Sequence, residues 1–397
     1  MQYEALNKVF YKNNENYEKI YLARFNSECT IRYNFSISKQ QAFVNINLGI
    51  LNLITHILQM DKQLHIASNS VPPIALLQFT KKCIIDEIQL TNEIEGVQST
   101  RKEIRELIDD VKGHKERKRL YGLVQKYLML SQREHIQLKT PLDIRKLYDE
   151  FILEEIKSDN AQNIPDGDIF RKDSVEVVSP SQKVIHKGLY PEAKIIAAMT
   201  EALDILHDKQ CNHFVNMAIF HYMFGYIHPF YDGNGRMARF ISSYLLTQEL
   251  EPIVGFGLSY TIKNNIKKYY DMFKDTNDHK NKGDLTPFVI GFLEFVVEAV
   301  ENLWLTIKEK AEQFKFYVDR IPNIVSDRTL ASIIHILVQN SLFDDEGISI
   351  EGISRISGLS PSTIRNWIKK MPPDIVTIRT SGKMNLYSAN LDAIAQK

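Results

Sequence analysis

The stretch that decides the reading runs His228-Pro229-Phe230-Tyr231-Asp232-Gly233-Asn234-Gly235-Arg236-Met237-Ala238-Arg239. The segment before it, CNHFVNMAIFHYMFGYI, is apolar enough to be a buried helix, and Pro229 stops that helix at His228. The segment after it, RMARFISSYLL, is a good helix former. Gly233 and Gly235 let the backbone between them turn sharply and come close to a ligand. The unpaired N–H groups that open the second helix, with the positive end of its dipole, make an anion cradle. Arg236 and Arg239, three residues apart, share a helical face from which both reach phosphate oxygens. His228 adds a base and Asp232 a carboxylate. Taken singly, each piece is ordinary: a turn, a capped helix end, a solvated pair of arginines. In this order and between two helices they point to a phosphorylated ligand and a metal.

Outward from this junction the chain reads as mainly α. Only 17 glycines and 13 prolines punctuate 397 residues, and apolar residues recur every three to four positions. The spacing predicts helices over 38–67 and 74–92, the second ending near Glu95-Gly96, and one or two more within 101–130. Residues 175–178 and 183–186 are β-branched on either side of Ser179-Pro180-Ser181-Gln182 and read as a hairpin. Helices follow near 191–208, 211–227, 235–249, 261–275 and 285–317. The C-terminal stretch separates: a helix at 328–341, two helices across Gly358-Leu359-Ser360, then two short strands at 375–379 and 384–388. That order is a winged helix-turn-helix pattern. The expected division is therefore 1–112 as a mostly helical N-terminal region, 113–320 as the core, and 328–397 as the winged helix.

Composition sets limits. Lys and Arg together count 49, as do Asp and Glu, so no global field draws the chain to nucleic acid or membrane. No run of 18 apolar residues exists, and the first 25 residues lack the apolar centre of a signal peptide. The three cysteines lack metal-ligand spacing, which suits a reducing compartment. The expectation is a cytoplasmic protein without a membrane partner.

The pattern His-Pro-Phe-x-Asp-Gly-Asn-Gly-Arg-x-x-Arg resembles the signature of the Fic (fido) family of nucleotidyl transferases. Nine fixed letters would arise by chance on the order of 10⁻¹² per position. The resemblance implies a helical Fic core with a hairpin flap, and a protein adenylyltransferase moving AMP from ATP to a Tyr, Thr or Ser hydroxyl. In that scheme His228 is the general base and Asp232 holds Mg²⁺. Gly233, Asn234 and Gly235 hold the phosphates, Arg236 meets the leaving pyrophosphate, and Arg239 clamps the γ-phosphate.

Upstream, Thr91-Asn92-Glu93-Ile94-Glu95-Gly96 resembles the family's inhibitory motif, Ser/Thr-x-x-x-Glu-Gly/Asn, with Thr91 the less usual choice beside serine. The resemblance implies that Glu95 pairs with Arg239 and so takes the γ-phosphate's partner. In the hairpin, Val184, Ile185 and His186 are candidates for pairing with a target segment as an added strand; an ordinary structural hairpin fits the same residues. Tyr269 and Asn277 resemble a tyrosine and asparagine pair near the nucleotide base. In the winged helix, PSTIRNWIKK offers Ser362, Thr363, Arg365, Asn366, Lys369 and Lys370 to DNA or to a protein. However, residues 330–397 balance seven basic against six acidic side chains. A homodimer is a further partner to consider. Two other functions compete with AMP transfer. One is removal of AMP from a modified protein, with Glu95 positioning water. The other is a DNA-binding regulator whose core only senses nucleotide, against which the intact His228 argues.

Overall fold

The computed structural model describes residues 3–110, 119–178, 184–381 and 384–397. In chain order the first elements are α1 (Leu6–Lys12), α2 (Asn14–Phe25), β1 (Thr30–Ile37), β2 (Gln40–Asn45), α3 (Leu48–Ser68) and α4 (Pro73–Ile94). Next come α5 (Arg101–Ile108), α6 (Tyr121–Ser131), α7 (Pro141–Phe151), α8 (Leu153–Asp159), β3 (Glu176–Val178) and β4 (Val184–Lys187). The middle of the chain holds α9 (Glu192–Leu206), α10 (His213–Ile227), α11 (Asn234–Glu249), α12 (Leu258–Asn264) and α13 (Ile266–Asn277). Then follow α14 (Thr286–Val318), α15 (Ile321–Ile324), α16 (Arg328–Phe343), β5 (Ile348–Ser349), α17 (Ile350–Ser357), α18 (Pro361–Lys370), β6 (Val376–Ser381), β7 (Met384–Ala389) and α19 (Leu391–Ala395). The protein is mainly helical, as its sequence indicates.

The chain divides into two units, Met1–Asp61 with Ile84–Glu301, and Lys62–Cys83 with Asn302–Lys397. The expected boundary at 112 lies outside the described residues, as does the hairpin turn at 179–182. In the first unit α10 is the innermost helix. Twelve of its fifteen residues are buried, from Phe214 to Ile227, so it presents almost no polar face. Asn212 caps its start by accepting from the Phe214 N–H at 3.0 Å. It packs beside α9 and α11, and α11 is nearly as enclosed.

Residues 38–47 correct the sequence reading. The expected helix over 38–67 is a hairpin strand first and a helix only from Leu48. Ser38 and Lys39 carry φ of 49° and 70°, which is a two-residue hairpin turn and not a helix start. Phe43 then exchanges backbone hydrogen bonds with the 283–285 segment: its N–H donates to Gly283 (3.0 Å) and its carbonyl accepts from Leu285 (2.9 Å). A Cβ at Gly283 would stand 2.4 Å from the Gln41 carbonyl oxygen, so this approach needs glycine. The expected helix over 261–275 is two helices, broken at Asn265, whose side chain donates to the Thr261 carbonyl and to Glu298.

In the second unit α16, α17 and α18 accompany a three-stranded sheet of order β5-β7-β6, with β5 between α16 and α17 in the chain. Ser360 caps α18, accepting from the Thr363 N–H, and Gly358 with φ of 72° turns the chain between α17 and α18. These elements are consistent with the winged-helix expectation. Strand β5 and the short terminal helix α19 are absent from it.

Candidate active site

His228 ends α10 in the left-handed region, φ 52° and ψ 64°, with its N–H donating to the Phe224 carbonyl at 3.0 Å. A non-glycine residue there carries strain of about 1–2 kcal/mol, so its surroundings must hold it. Phe230, two residues on, is fully buried and stacks on Tyr148 with centroids 3.8 Å apart. Asn234 closes the loop: its Oδ1 accepts from the Phe230 N–H (3.0 Å) and its Nδ2 donates to the Phe230 carbonyl (2.8 Å). Both polar ends of Asn234 are thereby spent on the loop. Its buried side chain fastens the loop, where the sequence reading expected it to hold phosphates.

Gly233 takes φ of 81°, and a Cβ there would meet Ile152 Cδ1 at 2.1 Å. The turn therefore excludes a side chain, and α11 begins with its first N–H groups unpaired within the helix. Asp232 stands at the tip, its side chain 41% exposed, with Oδ1 accepting from the Gly233 N–H at 2.5 Å. Among the described residues no group of three metal-ligating side chains occurs. A single exposed carboxylate beside an anion cradle fits Mg²⁺ carried in with phosphates, which needs only one or two protein carboxylates.

The His228 ring is half-buried, and burial pushes its pKa down to about 4, with a hydrogen bond to the Gly225 carbonyl opposing that shift. The ring is thus neutral at physiological pH and able to take a proton.

Arg239 is the most tightly held group of the site, 1% exposed. Its Nε donates to Thr91 Oγ1 (2.8 Å) and its Nη2 to the Thr91 carbonyl (2.9 Å). The same Nη2 stands 2.8 Å from Glu95 Oε1. Burial works against the guanidinium's charge, yet Glu95 together with the Tyr269 and Tyr127 hydroxyls outweighs it and the Arg239 pKa is raised. Glu95 also lies against the start of α11: a Cβ on Gly235 would stand 2.0 Å from its Oε1. A carboxylate of the protein itself therefore sits in the anion cradle. Behind Arg239 runs a directed chain of hydrogen bonds. Ser242 Oγ gives its proton to the Ala238 carbonyl (2.9 Å), so it must accept from His221 Nδ1 (2.8 Å). His221 Nε2 is then bare and accepts from the Tyr269 hydroxyl (2.8 Å), which leaves that oxygen to accept from Arg239. Burial drives the His221 pKa down to about 3, which keeps this tautomer uncharged.

The structure separates the remaining expected residues. Arg236 is fully buried and paired with the equally buried Glu155 at 2.6 Å, with Asp232 at 3.8 Å. It braces the loop from beneath. Tyr269 is 5% exposed and serves the Arg239 chain, so it offers no open ring face for a base; its hydroxyl has a better partner inside. Asn277 accepts from the Tyr222 hydroxyl at 2.6 Å. His186, on β4, holds the Tyr226 carbonyl at 2.6 Å and stacks on that ring, fastening the hairpin to α10. Val177 pairs with His186 and Glu176 with Lys187 across the two strands. Val184 and Ile185 lie on β4, and their side chains lie outside the described residues. On α18, Ser362, Arg365, Asn366, Lys369 and Lys370 are exposed, and Thr363 partly so.

Sequence reasoning missed Arg171, Glu155, Tyr148 and Glu87. None sits in a motif, and only the tertiary fold brings them here.

These features define a helical scaffold with a histidine base, an exposed carboxylate and an anion cradle. Residues 140–246 match the Fic/DOC family model. The chain therefore carries a Fic domain at those residues. It is 34% identical over 94 residues to the protein adenylyltransferase Fic of Aedes aegypti, covering 22% of this chain and 16% of that one. It is 35% identical over 100 residues to the Drosophila persimilis protein of the same name, covering 24% and 17%. The chain thus spans about a sixth of the length of these relatives. A Fic family protein from Desulfovibrio desulfuricans G20 shares the fold, with a TM-score of 0.54 at 21% identity over 87% of this chain and 97% of that one. Among the described residues no helix is long and apolar enough to cross a membrane.

Proposed function

We propose that the protein is an adenylyltransferase that moves AMP from ATP to a hydroxyl of a protein, itself included, and that Glu95 holds it inactive. The observation that carries this reading is the Glu95 carboxylate on Arg239 at the mouth of α11. A cradle that takes the protein's own carboxylate suits a phosphate oxygen of the same charge.

In the transfer, the neutral His228 ring takes the proton of the target hydroxyl. The oxygen attacks the α-phosphorus, the bond to the β-phosphate oxygen breaks, and pyrophosphate leaves. Asp232 would hold Mg²⁺, which would supply positive charge to offset the negative charge building up on the leaving pyrophosphate. The backbone N–H groups of Asn234 and Gly235 hold the phosphates, Arg236 keeps the loop in shape, and Arg239 fixes the γ-phosphate so that the α-phosphorus lies in line. With Glu95 on Arg239, the γ-phosphate meets a carboxylate instead, and ATP is held in an unproductive pose.

The test uses ATP labelled at the α-phosphate, with Mg²⁺. Wild type should label itself weakly, Glu95→Gly strongly, and Glu95→Gly with His228→Ala not at all. Labelling that survives loss of His228 overturns the mechanism, and equal labelling of wild type and Glu95→Gly overturns the brake. If Glu95→Gly instead loses the ability to release AMP from a modified protein, the reverse reaction is the activity.

A further inference from the structure

Arg171 is a fully buried arginine for which no carboxylate partner is found among the described residues. An unpaired buried cation is costly, and burial lowers its pKa accordingly. Its donors go instead to three backbone carbonyls from three separate stretches of chain. Nε donates to His228 (2.9 Å), Nη2 to Leu189 just after β4 (2.9 Å), and Nη1 to Asp173 just before β3. The packing leaves room for nothing else: a Cβ on Gly188 would stand 2.4 Å from Arg171 Nη2 and 3.1 Å from His228 Cβ. The neighbouring segment is fastened to the same loop. Tyr231 donates to Asp166 (2.9 Å) and accepts from the Asp173 N–H (3.0 Å), while the Leu189 N–H donates to the Ile227 carbonyl (3.1 Å).

We propose that Arg171 is a positioning residue that registers the β3–β4 hairpin on the catalytic histidine, holding His228 in its left-handed backbone and both ends of the hairpin at a fixed distance from it. The inference rests on the transfer reaction proposed above. A target segment laid along β4 presents its hydroxyl at a height set by that hairpin, and the base waits at a place set by the His228 backbone. One planar guanidinium with three donors in a rigid fork fixes the two together. A lysine can reach one or two of the carbonyls but cannot span all three. Because none of the three carbonyls lies on the α11 cradle, the residue governs the hydroxyl's approach and leaves the nucleotide's seat alone.

The experiment compares Arg171→Met, Arg171→Lys and Gly188→Ala in the Glu95→Gly background, reading AMP transfer and, by calorimetry, Mg-ATP affinity. Transfer should fall roughly 10²-fold in the Met variant, the cost of displacing a reacting group by about 1 Å. Lys should recover part of that loss, Gly188→Ala should share it, and Mg-ATP affinity should stay within about twofold of the parent. Unchanged transfer, or an affinity that falls in step with transfer, overturns the assignment. Amide hydrogen exchange reads the positioning without any activity. Gly188 and Leu189 should exchange faster in the Lys and Ala variants while α10 stays protected, and unchanged exchange there overturns the inference. If the Glu95→Gly parent itself transfers nothing, the proposed reaction fails, and the exchange result alone decides the role of Arg171.

Discussion

Glu95 and Arg239 meet at 2.8 Å across 144 residues of sequence, and they meet in unequal surroundings. Arg239 is 1% exposed and held by three other contacts, while the Glu95 side chain is 28% exposed. The pair is therefore a fixed cation and a movable anion. Losing the anion leaves the cation where it was.

Gly235→Ala should separate the two uses of the cradle. Its Cβ would stand 2.0 Å from Glu95 Oε1, so the carboxylate is displaced, yet the same methyl occupies the space a phosphate needs. Unlike Glu95→Gly, this variant should gain neither AMP transfer nor Mg-ATP affinity by calorimetry. A gain comparable to Glu95→Gly would mean that ATP does not use this part of α11.

Thr91→Val keeps the shape of the side chain and removes the acceptor for Arg239 Nε. The orphaned donor is buried, so unfolding in urea should show a loss of about 1–3 kcal/mol. Thr91→Ser, which retains the hydroxyl, should lose much less. Equal losses would assign the effect to packing.

Glu155→Leu strips the buried Arg236 of its carboxylate. Leaving one member of a buried pair uncompensated costs about 3–5 kcal/mol, and a clear fall in melting temperature should follow. No change in melting temperature would show that Asp232, at 3.8 Å, suffices as the counter-ion.

Glu87 provides a pH signature. It is fully buried, accepts from the Ser259 N–H (2.9 Å) and the Ser259 hydroxyl (2.5 Å), and burial raises its pKa from 4.5 to about 7. The folded carboxyl keeps its proton to higher pH than the unfolded one. The folded state therefore binds more protons between pH 4.5 and 7, and Glu87 erodes stability as pH rises through that window. Glu87→Gln removes this slope. Measured against wild type, the variant should gain about 3 kcal/mol of relative stability from below pH 4.5 to above pH 7. Parallel stability curves would show that Glu87 ionises freely.

The site was legible wherever local sequence fixes local geometry. The glycines and proline of 228–239 dictate the turn, the apolar run before it dictates a buried α10, and Thr91, in the last turn of α4, stands four residues before Glu95, which follows that helix. What escaped was set by distant chain. The 30–45 hairpin alternates like a strand, but its apolar density from Phe43 onward runs on into α3 and mimics one long helix. The phosphate role expected of the Asn234 side chain gave way to two hydrogen bonds with Phe230. Tyr269 was matched by spacing to a base pocket, whereas its hydroxyl is claimed by His221. Arg171 belongs to no motif, because its partners are backbone carbonyls and any sequence supplies those.

On the proposed reading, the hold of Thr91 on Arg239 restricts how Glu95 can leave the cradle. Swinging the end of α4 outward would strand the Nε and Nη2 protons of Arg239 in a dry interior with nothing to receive them. The cheaper path is a change of rotamer at Glu95 about a stationary helix. Activation by this route leaves the backbone almost unmoved, so it would be invisible to any probe of overall shape and would be read only at the tip of one side chain.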